Sequence, residues 1–224
     1  MYKIEPHLHT CHVSPCGHMT AEQLTEAYAA AGYSGIAVTD HYSRYVFQKN
    51  GVDITDPSVD AVDRFLTGFR LMQEEGAKRG LTIYKGAELR FDECDNDYLL
   101  YGWDDELLAD PDKIFRMGIA GFSKLAREAG ALLIQAHPYR HGCTPAIACY
   151  LDGIEVINAN PRHDSRNELA KAYAEEFGLI ATAGSDCHRP PDVGLAGICT
   201  EKLPADSKEL AQLIRSGEYQ IFGE

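Results

Sequence analysis

The stretch Gly35-Ile-Ala-Val-Thr-Asp-His41 decides how the rest of the chain is read. Its apolar residues run with little polar alternation, as in a strand buried on both faces, and it stops on an acid and a histidine. Upstream, Thr20-Ala-Glu-Gln23 is a capping box that opens a helix, and Gly32 closes it. Before that helix lies Tyr2-Lys-Ile-Glu-Pro-His-Leu-His9, a second strand candidate that also ends in histidine. Strand, helix and strand in this order form a unit that builds parallel sheets with helices outside.

The same alternation continues outward from this unit. Further strands are expected over residues 81–89, 98–102, 131–137, 153–158 and 179–186. A long helix is expected over residues 58–79, stopped by Gly80, and another from the Asp110-Pro111 cap to Gly130. Ser165-Arg-Asn-Glu168 reads as a second capping box leading to Gly178, and residues 209–216 as a short final helix. About seven strands in repeated β-α units favour a closed α/β barrel over an open sheet. The longest irregular stretch, residues 42–57, is a candidate substrate lid.

At 224 residues the chain is long enough for one domain, residues 1–224, with a substantial core. Hydrophobic content of 45% and charged content of 25% are those of an ordinary soluble globular protein. The formal charge of −13 argues against a nucleic-acid polymer as partner, while a small anionic substrate stays compatible with it. The 7 cysteines form no CxxC pair, and neither a signal-like apolar run nor a membrane-span pattern is present. A reducing cytoplasm is the expected location, with no membrane partner.

Ligands of parallel α/β folds bind at the carboxyl ends of the strands. His9, His41, Glu88, His137, Asn158 and Asp186 all fall at such ends, so residues far apart in sequence converge on one face. His7-x-His9 places two imidazoles on one side of a strand, and Asp186-x-His188 repeats the spacing with an acid. Imidazole and carboxylate together are ligands for transition metals. A buried Glu88 needs a cation or a partner. Pro138 is expected to push His137 into an extended conformation. Arg44, Arg140 and Arg162 follow strand ends, where a guanidinium can clamp phosphate. His12 and His18 lie close after the first strand, and either could fold back over its end.

HxH, then TDH, a glutamate after a strand, AHP and finally SDxH, in this order, resemble the polymerase and histidinol phosphatase (PHP) superfamily. The resemblance runs from His7 to His188. It implies a distorted (β/α)7 barrel with two or three divalent ions, zinc, manganese or iron, at the strand C-termini. It further implies hydrolysis of a small anionic phosphomonoester by a metal-activated water. Carried over, His7, His9, Glu88 and Asp186 hold one ion, Glu88 and His137 a second, and His41 and His188 a third. Cys16-Gly17-His18 resembles a CGH of the histidinol-phosphatase branch, which favours His18 for that third ion. The family's histidine after the glutamate is missing here, and Asp97 is the substitute on offer. Two alternatives stand beside this reading: a carbon–nitrogen hydrolase on a similar metal barrel, and a non-catalytic regulatory module.

Overall fold

The computed structural model describes residues 1–223. It starts with β1 (Tyr2–Leu8), passes through α1 (Ala21–Ala30) and returns as β2 (Gly35–Val38), parallel to β1. The expected capping box is present: Thr20 accepts from Gln23 N–H, and the Gln23 side chain accepts from Thr20 N–H. There follow β3 (His41–Tyr42), α2 (Arg44–Lys49), α3 (Ala61–Phe65), α4 (Thr67–Ala77), β4 (Thr82–Arg90) and β5 (Asp97–Tyr101). The remaining elements are α5 (Pro111–Glu128), β6 (Leu132–Gln135), β7 (Gly153–Asn158), α6 (Asn167–Phe177), β8 (Ile180–Gly184), β9 (Gly197–Thr200), α7 (Ser207–Ser216) and β10 (Gln220–Phe222).

The strands join one sheet in the order β10-β9-β1-β2-β4-β5-β6-β7-β8, with β3 paired to β4. Just beyond β8, Cys187 bridges in parallel to Leu8 of β1, so the sheet curls into a nearly closed barrel. The helices cover it by burying apolar faces. Leu24 and Tyr28 of α1 and Met72 of α4 pack with Leu8, Ile36 and Ile83. Phe115 and Phe122 of α5 pack with Leu89, Leu100 and Leu133, and Leu210 and Ile214 of α7 pack with Ile4, Tyr84 and Ile134.

The barrel departs from uniform β-α repetition in ways that have local causes. β5 is antiparallel to both β4 and β6. Only residues 91–96 separate β4 from β5, too few for the crossover a parallel neighbour needs. β9 is antiparallel to β1 and to β10. The helix expected over 58–79 is broken at Leu66 into α3 and α4. The start of α4 lies against the loops after β1 and β2, where a Cβ on Gly68 would come within 2.5 Å of Asp40 Oδ2 and Thr10 Oγ1. The capping box expected at Ser165 does not form. Arg166 takes a left-handed φ of 50° at the N-cap, and Ser165 Oγ donates to Asn158 Oδ1 instead. The stretch expected to be an irregular lid begins with a helix, α2. Among the described residues, no helix is long and apolar enough to cross a membrane.

Candidate metal centre

Side chains repeat every two residues along a strand, so Glu5, His7 and His9 leave β1 on one side. All three are fully buried. β3 is placed in register with β4 so that His41 stands opposite Glu88, which lies inside β4 rather than at its end. His137 follows β6, and Asp186 and His188 follow β8. These elements bring seven expected residues together: His7, His9, His41, Glu88, His137, Asp186 and His188.

Glu88 stands at the middle. Its Oε1 is 3.3 Å from His7 Nε2 and 3.1 Å from His137 Nε2. Its Oε2 is 3.3 Å from His9 Nε2 and 2.8 Å from His41 Nδ1. Asp186 Oδ1 is 3.4 Å from His7 Nε2 and 3.3 Å from His9 Nε2. Ligand atoms of His7, His137 and Asp186, of His7, His9 and Glu88, of His9, His41 and His188, and of His41, Glu88 and Asp97 each lie within 4.8 Å of one another.

A deeper row of polar groups aims these side chains. His7 Nδ1 donates to Glu155 Oε1 at 2.9 Å. The other oxygen of Glu155 accepts from His137 N–H at 3.0 Å and from the Asn158 amide at 2.9 Å. Both carboxylate oxygens are therefore acceptors, so His7 donates through Nδ1 and turns Nε2 toward the cluster, the nitrogen a cation would take there. Glu5 accepts from His7 N–H and Ser185 N–H at 3.0 Å each and from the Tyr28 hydroxyl at 2.8 Å. Asp40 accepts from Thr10 and Ser14, tying down the loop after β1. Asn160 donates its amide to Asp186 O at 3.0 Å.

The fields are strong. Burial alone would lower His7, but the carboxylates of Glu155, Asp186 and Glu88 outweigh it and hold it well above the usual imidazole range. Burial and the neighbouring His188 and His41 hold His9 well below it. Burial would raise Glu88 and Asp186, yet His41 and His7 pull the first, and His7 and His9 the second, well below the carboxylate range. Burial opposed by hydrogen bonds to Ser185, His7 and Tyr28 leaves Glu5 pushed up to about 7.

Three observations show that this donor set fits metal ions. His7 Nε2 and His9 Nε2 lie 3.1 Å apart, two imidazole nitrogens brought to one buried point. Glu88 Oε2 is buried without a hydrogen bond, although imidazole nitrogens approach it. Nitrogen and carboxylate oxygen are also the donors that divalent transition metals take. The backbone is strained at the same place. Of the non-glycine residues described, those with positive φ are His137 at 27°, Arg166 at 50° and Asp186 at 48°. His137 is thus left-handed, not extended as its following proline suggested. Such conformations cost roughly 1–3 kcal/mol each and persist where surrounding contacts impose them.

Other expected residues are placed differently. His18 is exposed and outside the converging groups, and its backbone N–H donates to His188 O at 2.9 Å. Asp97 is buried beside His137 but is held by Arg90 through bonds of 2.8 and 2.6 Å. Arg44 is bound to Asp92 and Asp112. Arg162 forms a two-bond pair with Asp192, which in turn accepts from His188 N–H. Arg140 does reach the cluster, donating to Asp186 Oδ2 at 2.5 Å and Asn158 Oδ1 at 2.8 Å.

Sequence reasoning missed Glu5 and Glu155. Glu5 shares the parity of His7 and His9, and Glu155 interrupts the apolar run Gly153-Ile-Glu-Val-Ile, so both carried a signal. Burial alone would raise the Cys16 thiol, but hydrogen bonds to His188 and His41 outweigh it and bring it down to about 7.

Residues 164–219 match the family model PHP_C, described as PHP-associated. None of the curated proteins matches the chain. A two-domain protein from Bacteroides vulgatus containing a predicted PHP-like metal-dependent phosphoesterase is similar in structure, with a TM-score of 0.68 at 16% identity. The match covers 100% of this chain but only 65% of that one. A protein from Bifidobacterium adolescentis assigned as a metal-dependent phosphoesterase is similar with a TM-score of 0.54 at 17% identity, over 96% of each chain. Endonuclease Q, in complex with a 27-mer duplex bearing an abasic lesion at the active site, is similar with a TM-score of 0.60 at 12% identity. That match covers 96% of this chain and 56% of the endonuclease.

The last likeness corrects one expectation. A net charge of −13 argues against nucleic-acid polymers as partners, yet a protein of this fold holds a DNA duplex. Net charge is a sum over the whole surface, whereas a phosphate meets the local field, which bound cations can invert. The PHP-associated match is confined to residues 164–219, and the likeness to these solved structures shows the barrel fold they share with this chain.

Proposed function

We propose that this protein is a metal-dependent phosphoesterase acting on a phosphomonoester. The observation that carries the reading is Glu88, whose two oxygens face different imidazole groups: His7 and His137 on one side, His9 and His41 on the other. A carboxylate so placed suits a bridge between two cations.

His7, His9, Glu88 and Asp186 would hold one ion, Glu88 and His137 a second, and His41 and His188 a third, with zinc, manganese or iron as candidates. Bound divalent ions supply an activated water and neutralise charge that develops on phosphoryl oxygens. The chain itself fixes the geometry. Glu155 sets the His7 tautomer, and the Asp40 network holds the loop that follows His9. His41 and His188, with side chains 20% and 12% exposed, form the open side through which a substrate enters. Arg140 is the arginine nearest the cluster and would meet a phosphate after yielding one of its bonds to Asp186 or Asn158. No side-chain nucleophile is required, since water attacks the phosphorus.

The test is purified protein loaded with Mn²⁺, Zn²⁺ or Fe²⁺ against phosphomonoesters, a phosphodiester and an amide panel. Monoester turnover with competitive inhibition by inorganic phosphate is expected. Amide cleavage without phosphate inhibition would favour the carbon–nitrogen hydrolase, and metal content near zero after gentle purification would favour a regulatory module. Inactivity across the panel, with metal content unchanged in His137→Ala, refutes the reading.

A further inference from the structure

Helix α2 forms one wall of a cavity of about 300 Å³ that opens beside His41. Tyr45 and Val46 line it from α2, Pro15 and Cys16 from the turn after β1, and His41 and Arg90 from β3 and β4. Such a volume lies at the lower end for small-molecule sites and gives room to one compact group. Among the described residues no carboxylate lines the cavity, although the chain carries 34 acidic residues. The wall itself therefore sets no like charge against a phosphate ester.

The wall is fixed rather than hinged as a lid. Arg44 pairs with Asp92 and Asp112, Phe47 sets its ring edge-on to Tyr42 at 5.0 Å, and Asn50 donates its amide to Val13 O at 2.8 Å. Arg90 is fixed as well, through Nε and Nη2 on the two oxygens of Asp97 at 2.8 and 2.6 Å. Its Nη1 stands 3.9 Å from Asp95 Oδ1 and makes no hydrogen bond among the described residues. Three planar groups thus line one cavity: the Tyr45 phenol, the His41 imidazole and the Arg90 guanidinium. Tyr45 is 60% exposed, with Lys49 Nζ 5.7 Å from its ring centroid. Aromatic faces and guanidinium planes stack on flat rings, a contact that a saturated chain cannot make.

We propose that this cavity receives the leaving group of the phosphoester, and that Tyr45 selects an alcohol carrying a flat unsaturated ring. The inference rests on the phosphoesterase reading of the metal centre and deepens it. With the phosphate at the cluster, the ring lies against Tyr45, and Arg90 Nη1 is the donor offered to polar atoms on its edge. The oxygen of water bonds to phosphorus as the ester P–O bond breaks. One proton of that water ends on the departing alcohol and the other on phosphate or solvent.

The experiment uses the full chain loaded with Mn²⁺. Calorimetry with non-hydrolysable analogues reads the cavity apart from turnover: phenethylphosphonate should bind about 10-fold more tightly than propylphosphonate. Tyr45→Ala should abolish that preference and Tyr45→Phe should keep it, with folding checked by near-ultraviolet circular dichroism. The ratio of kcat/KM for benzyl phosphate over ethyl phosphate should follow the same order. Wild type with no preference for the ring in binding or turnover, or a preference that survives Tyr45→Ala, overturns the proposal and leaves the phosphoesterase reading standing. Tighter binding of phosphonoacetate than of phenethylphosphonate also overturns it, in favour of an anionic leaving group read by Arg90. Absence of binding by every phosphonate, together with absence of turnover, overturns both.

Discussion

Glu155→Gln is close to isosteric, yet the hydrogen bonds around Glu155 predict a large loss of metal binding. One carboxylate oxygen accepts from His7 Nδ1 and the other from His137 N–H and the Asn158 amide, so all three neighbours are donors. An amide has one acceptor end. If its oxygen meets His7, its NH₂ is driven against two buried donors, at about 1–3 kcal/mol for each group left unsatisfied. If it flips, the NH₂ meets Nδ1, the imidazole proton moves to Nε2, and the lone pair facing Glu88 and Asp186 is lost. Either way the ligand is misaligned, and removal of such supporting groups lowers metal affinity about 10–100-fold. That is a penalty of about 1.4 to 2.7 kcal/mol. The assay is competition with a chromogenic chelator, with metal content by elemental analysis and folding by near-ultraviolet circular dichroism. Thr182→Val is the control, because Thr182 lies opposite Glu155 in the sheet and its buried hydroxyl makes no hydrogen bond. A folded Glu155→Gln protein that binds zinc as tightly as wild type would refute the reasoning.

Gly184→Ala would set a Cβ 2.5 Å from that of His7 and 2.9 Å from Glu155 Oε1. Overpacking of this kind costs about 1–3 kcal/mol. Thermal unfolding should show Tm reduced by about 2–4 °C per kcal/mol, with metal affinity reduced in parallel. Glu5 gives a pH signature: its folded pKa is raised to about 7, so its neutral form is favoured by the fold. The contribution is present below the unfolded value and is lost as pH rises towards 7, for a total of about 3 kcal/mol. Glu5→Gln should flatten that fall, measured by urea unfolding at pH 5 and 7 with chelator present, and an unchanged slope would place the titration elsewhere. Metal removal should lower Tm, because an ion held at 100 times its Kd stabilises the fold by about 2.7 kcal/mol. Binding should also release protons, so affinity measured by calorimetry falls as pH is lowered.

The sequence displayed what depends on strand period and strand ends. The parity of His7 and His9, and the acid or histidine closing several of the apolar runs, were enough to assemble most of the cluster. Features that depend on how the chain turns were harder to read. The run Asp92-Glu-Cys-Asp-Asn-Asp97 is polar like any loop, and nothing in it says that the chain reverses into an antiparallel neighbour rather than crossing over. The left-handed His137 runs against the ordinary effect of a following proline and is set by contacts to Glu155 and Glu88 from other strands. The preference for His18 followed a motif spacing. The turn Ser14-Pro-Cys-Gly17 instead leaves the His18 side chain exposed, with only its backbone N–H bonded to His188 O.

The contact between β8 and β1 carries a consequence for assembly. Ser185 N–H donates to Glu5 across a separation of 180 residues, Leu8 bridges Cys187, and His7 and Asp186 face each other over that seam. Closing so long a loop is entropically expensive and slow, because its contacts reward the chain only after it has closed. A cation held by His7, His9 and Asp186, as proposed, would clasp β1 to the loop that follows β8. Metal capture would then secure the last seam to close, and hydrogen exchange along the seam should report the metal-loaded fraction before any other part of the molecule does.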